Sequence, residues 1–324
     1  MKYLDIGVKS YRYILSLTYP FKTMKADDPE EWFHEGTSLY SKGRYDDALA
    51  CFDRVLSAIP DEPAAWANRG AVLNELGRFD EALESCEKAL GINSSSMGAC
   101  LNRGIALLEL GRNEEALLCF NMVLNRSPDI VPALSGKGRV LFRLGRLDEG
   151  LGLVRSLLDE EKADPGLLED AGYASFVSGR VQEAACFYEK AARLAPASPD
   201  TLSNLAVVLN QAGRHHEALE TIRKAISAGG EKTEYMVNLG HTYNELGRFA
   251  EAFEAFEKVM SECRAMPEFW NNRGVALIGL GRAGEACDSF DRALSLDPGF
   301  TAARDNRERS CPSPAAPVDG DEGP

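Results

Sequence analysis

Asn68, Asn102, Asn204, Asn238 and Asn272 are separated by 34 residues or multiples of it, and three of them open the same triplet, Asn-Arg-Gly. A carboxamide offers one acceptor and two donors but no acid, base or nucleophile, so a row of them binds rather than transforms. It can bond the N–H and C=O of an extended chain without reading that chain's side chains. Arg139, Tyr173 and His241 stand three residues after the equivalent place in their own copies and would add charge and aromatic surface. Groupings that perform catalysis are missing: there is no G-x-x-x-x-G-K-[ST], no G-x-G-x-x-G after a strand, no H-E-x-x-H and no G-x-S-x-G. His215 and His216 are adjacent, so their side chains diverge. His241 and Glu245 share a helical face without a third ligand and read as a solvated pair. The expectation is a binding protein, not an enzyme, with no metal and no cofactor.

The whole-chain properties agree with that class. The 324 residues carry a net charge of −14, which disfavours nucleic acid and favours other proteins as partners, through extended segments that are neutral or basic. Eight cysteines occur without a C-x-x-C pair, most of them where neighbouring copies place apolar residues. They read as reduced core thiols, and with no apolar run long enough for a membrane span the expected location is cytoplasmic. In MKYLDIGVKSYRYILSLTYPF, Asp5, Lys9 and Arg12 interrupt the apolar run and no small-residue cleavage site follows, so no signal peptide is expected.

The elements that position the asparagines follow from the repeat. Glycines at 36, 70, 104, 138, 172, 240 and 274, with Ala206 in the remaining slot, keep the 34-residue spacing. A second series, Gly43, Gly77, Gly111, Gly145, Gly179, Gly213, Gly247 and Gly281, keeps it too, each followed by Arg. Numbering each copy from 1 gives eight repeats, 29–62, 63–96, 97–130, 131–164, 165–198, 199–232, 233–266 and 267–300. Positions 4, 8 and 11 form an apolar stripe at helical spacing, which predicts helix A. Gly at position 15 supplies the left-handed residue that ends it, and acids after it suit the start of helix B. Small residues at 8 and 20 would let the two helices approach while the large residue at 24 fills the groove between them. Asp28-Pro29, Asp164-Pro165 and Ser198-Pro199 read as N-caps followed by Pro in the first turn.

These spaced features resemble the tetratricopeptide repeat (TPR) family, whose signature is a 34-residue helix-turn-helix with W-x2-L-G-x2-Y, A-x3-F and P. The resemblance implies an all-α, right-handed superhelical solenoid. Residues 301–310 read as a polar C-terminal capping helix, since Arg304 and Glu308 stand where an apolar residue and Gly would be. The acidic, Pro-rich 311–324 reads as a disordered tail. Residues 1–28 form a basic, aromatic segment with Leu4, Val8, Tyr11 and Leu15 on one helical face. A cap on the first repeat is expected of it, with membrane contact through residues 1–25 the other reading. Gly150 and Gly152 inside helix B of the fourth repeat, followed by DEEKADPG, suggest a softer joint.

Position 6 carries the asparagines, diametrically opposite the buried stripe. The row is similar to the asparagine ladders of TPR superhelices such as that of O-linked N-acetylglucosamine transferase, a resemblance that implies clamping of a peptide backbone. Equally, the amides can bond the neighbouring helix. The basic residue at position 7 reads as packing through its stem. Tyr40, Phe142 and Phe176 at position 12 read as inter-repeat packing. The chaperone-tail carboxylate clamp of some TPR proteins is not matched in any window, so no co-chaperone role is expected. The leading expectation is an adaptor holding an extended peptide segment in a concave groove. A substrate-recruiting subunit of an enzyme complex with a separate catalytic chain is the alternative, and a self-assembling array is a third.

Overall fold

The computed structural model describes residues 28–159, 164–194 and 198–311. Among them the chain is helical throughout and falls into two compact units, Met1–Val177 and Ser178–Pro324. In the first, α1 (Pro29–Ser41) pairs with α2 (Tyr45–Ala58), α3 (Pro63–Glu75) with α4 (Phe79–Ile92), α5 (Met97–Glu109) with α6 (Asn113–Arg126) and α7 (Val131–Arg143) with α8 (Leu147–Asp159). This unit closes with α9 (Pro165–Val177). The second opens with α10 (Val181–Leu194), after which α11 (Pro199–Gln211) pairs with α12 (His215–Gly229), α13 (Thr233–Glu245) with α14 (Phe249–Val259) and α15 (Pro267–Gly279) with α16 (Ala283–Leu296). Last comes α17 (Thr301–Ser310), on which Ala303 alone is buried. Both units are therefore α-solenoid stacks, and the polar cap is in place.

Local chemistry sets the helix limits. The glycine at position 15 has φ between 70° and 75° in all eight copies, a conformation that would strain any L side chain. Ahead of α1 the Asp28 carboxylate accepts from Glu30 N–H at 3.1 Å, Asp164 accepts from Leu167 N–H at 2.9 Å before α9, and Ser198 accepts from Thr201 N–H at 3.3 Å before α11. The arginine after each glycine takes the residue before helix B and pairs with the acid three further on, as Arg78 does with Glu81 through two bonds of 2.7 and 2.6 Å. Such exposed pairs are screened by solvent, so they tune helix starts rather than hold the fold.

The core does the holding. Leu39, Leu73, Leu107 and Leu141 at position 11 are buried with Ala48, Ala82 and Ala116 at position 20. Phe52, Phe120, Phe256 and Phe290 at position 24 are at most 1% exposed, worth about 1.5–3 kcal/mol apiece. A Cβ on Gly274 would stand 2.5 Å from the Phe290 ring, and one on Gly240 2.5 Å from Phe256. Position 8 is small because the aromatic ring at position 24 occupies the volume a side chain would need.

Two expectations change. Gly150 is no mere weak point, because a Cβ there would come within 2.5 Å of Phe142: its absence seats that position-12 ring. Gly152 has open space around it, and residues 160–163 of the expected joint lie outside the described residues, as do the segments 1–27 and 312–324. The cysteines are not uniformly reduced core thiols: Cys287 and Cys311 form a disulfide that ties the chain after α17 to α16, and Cys186 is exposed. Cys186 stands at position 22, where other copies carry Glu84, Glu220, Glu254 and Asp288, and helix B turns it outward. Only Cys51, Cys86, Cys100, Cys119 and Cys263 are buried and free.

Candidate functional site

The triplet at positions 6 to 8 first couples one repeat to the one before it. Asn102 donates from Nδ2 to the Ala67 carbonyl at 3.1 Å, Asn238 to Ser203 Oγ at 2.9 Å, and Asn306 of the cap to Asn271 Oδ1 at 2.9 Å. Each bond runs back to position 5 of the preceding helix A. Position 12 answers in the other direction, Asn74 donating to the Asn102 carbonyl at 2.9 Å and Asn244 to the Asn272 carbonyl at 2.8 Å. Arg69 reaches Asp53 of the preceding helix B at 2.7 Å and Ser85 of its own at 2.7 Å, and Arg273 does the same with Glu257 and Ser289 at 2.8 Å. The basic residue therefore bridges repeats through its charge as well as its stem. The position-12 asparagines are the participants that sequence reasoning missed, although Asn74, Asn210 and Asn244 keep the same period.

An inter-helix bond uses one of an amide's three hydrogen-bonding functions. Asn68 and Asn204 are half-buried, and Asn272 accepts from its neighbour Asn271 at 3.3 Å. The three residues expected to give specificity differ in their surroundings. Arg139 is 6% exposed and held by Asp170 at 3.0 Å and Glu109 at 3.5 Å, so its charge is spent inside the chain. Burial pushes the Asp170 carboxyl above its ordinary range even though Arg139 pulls it down. Tyr173 is 56% exposed on α9, with Val177 exposed one turn on. His241 sits 3.9 Å from Glu245, and burial lowers its pKa from the ordinary 6.5. Among the described residues no group of three or more His, Cys, Asp or Glu stands close enough to hold a metal ion, and no helix is long and apolar enough to cross a membrane.

What the first unit does bring together is a cavity of about 260 Å³ on the helix A face of repeats 1 to 3. Ala64, Ala67, Ala71 and Gly98 leave the space, Phe33, Tyr40, Met97 and Leu101 wall it, and Asn68 and Asn102 supply the amides. Among the described residues no Lys or Arg lines it. The Tyr40 hydroxyl donates to Glu75 at 3.3 Å, fixing one wall. Small residues at positions 2, 5 and 9 of consecutive copies were the available signal, hidden because alanine is also the commonest helix former. Apolar walls with a few polar groups of fixed direction are what a site for an extended peptide requires.

Four family models described as tetratricopeptide repeat match residues 33–96 and 136–199, 197–261, 267–300 and 73–132. No curated protein sequence matches the chain. Among solved structures it is similar to a chain of the APC/C hetero-tetramer Cut9–Hcn1, at 17% identity and a TM-score of 0.58, with 88% of this chain covered. The chain spans 56% of the length of that relative. Human IFIT1, in its dimer with m7Gppp-AAAA, is similar at 19% identity and a TM-score of 0.54, covering 83% of this chain and 72% of that one. A thermophilic TPR protein of Thermus thermophilus aligns at 25% identity and a TM-score of 0.48, covering 56% of this chain and 99% of that one.

Proposed function

We propose, from the premise that this chain belongs to the tetratricopeptide repeat family, that it is a non-catalytic scaffold binding an extended segment of another protein across α1, α3 and α5. Repeats of this family build protein–protein interaction scaffolds. The observation that carries the finer reading is the cavity, which places Asn68 and Asn102 beside apolar walls where backbone amides and one or two side chains of a ligand fit together. Net charge, and a lining without Lys or Arg among the described residues, favour neutral or basic segments over nucleic acid. The six free thiols favour a reducing, cytoplasmic setting and the Cys287–Cys311 pair an oxidising one, so location is decided by whether that pair is bonded in cells.

Selection from a random peptide library on the intact protein tests the reading. Enriched peptides should combine a basic residue with an apolar one and lose at least tenfold in affinity for Ala71→Trp, which fills the cavity. Peptides that bind this variant as well as wild type would contradict it.

A further inference from the structure

We infer that residues 1–25 dock in the groove of α1, α3 and α5, and that a partner must displace them; the inference rests on the groove being the peptide site proposed above.

Three observations converge. The first is place. The chain enters α1 at Asp28, while Glu62 and Ser96, the residues before α3 and α5, line the cavity. Helices one repeat apart run in the same direction, so Asp28, Glu62 and Ser96 share one edge of the stack. Neighbouring helices lie about 8–10 Å apart, and 25 residues span about 38 Å even when helical, so the preceding segment reaches the cavity with length to spare. The second is charge. Residues 1–25 hold Lys2, Lys9, Arg12, Lys22 and Lys25 against Asp5, in a chain whose net charge is −14. The receiving edge carries Glu30 and Glu31 in the first turn of α1 and Asp61 and Glu62 ahead of α3. The third is apolar fit: the segment supplies Leu4, Val8, Tyr11 and Leu15, of which one or two suffice to fill a cavity walled by Phe33, Tyr40, Met97 and Leu101. A tethered ligand acts at an effective concentration that can reach the millimolar range, so even weak docking competes with partners in solution.

The test uses the full chain. A fluorescent peptide of residues 1–25 is titrated against wild type and against the full-length variant Val8→Asp/Tyr11→Asp/Leu15→Asp, after circular dichroism shows equal helicity. The variant, with its own segment dislodged, should bind the peptide at least tenfold more tightly than wild type. Adding Ala71→Arg to that variant should abolish the gain. In wild type, hydrogen exchange should be slowed between Leu4 and Leu15. Equal affinities, or no slowing, would overturn the inference. So would a mass that rises with concentration in wild type alone, which would place the segment on a second copy. Failure here leaves the library selection free to succeed, so the two readings are separable.

Discussion

At the scale of single residues, the recurring asparagine does two things. Asn102 and Asn238 each donate a bond to the preceding helix, so Asn102→Ala or Asn238→Ala should lower unfolding free energy by about 1 kcal/mol. Asn68→Ala should change stability by less than about 0.5 kcal/mol, the usual range away from such bonds, yet weaken binding of selected peptides. Urea titrations beside anisotropy would show the split, and equal stability losses at Asn68 and Asn102 would refute it. Glycines divide as sharply. Gly136→Ala forces a Cβ into Phe120 and should destabilise by about 1–3 kcal/mol, whereas Gly152→Ala meets nothing and should stabilise by up to about 1 kcal/mol. His241 adds a pH dependence. Burial depresses its pKa from 6.5, so the unfolded chain takes up the proton first and stability falls as pH drops below about 6.5, levelling once the folded form is protonated too. His241→Asn should flatten that part of a stability-versus-pH curve.

At the scale of elements, the period was legible because its causes are local. A left-handed glycine, an N-cap before proline and a small residue beneath a ring each leave a fixed residue type at a fixed position, so both helices of each pair could be read directly. The candidate site was half legible. Position 6 was found, but whether Asn102 faces a ligand or Ala67 depends on a bond across 35 residues, which no pattern along one helix contains. Arg139 misled for the same reason: its partners, Glu109 and Asp170, lie on the two flanking repeats. Pairing of Cys287 with Cys311 needed the path of α17, which returns the chain to α16 across a separation of 24 residues. Closing a loop of that size stabilises by about 3 kcal/mol. Cys311→Ser, or reduction, should therefore speed hydrogen exchange in α16 and α17 while leaving α1 to α4 unchanged.

At the scale of the whole molecule, each repeat contacts chiefly its neighbours, so the effects of such substitutions should stay within their own unit. An acidic chain binding basic segments should also lose affinity as salt rises, because the Debye length falls to about 3 Å at 1 M. The central claim is that the helix A face of repeats 1 to 3 holds the ligand, and hydrogen exchange of the intact protein with and without a library-selected peptide tests it most directly. Slowed exchange confined to α1, α3, α5 and the loop at residues 93–96 is the predicted result. Protection falling instead on helix B surfaces, or wholly within residues 178–324, would contradict it.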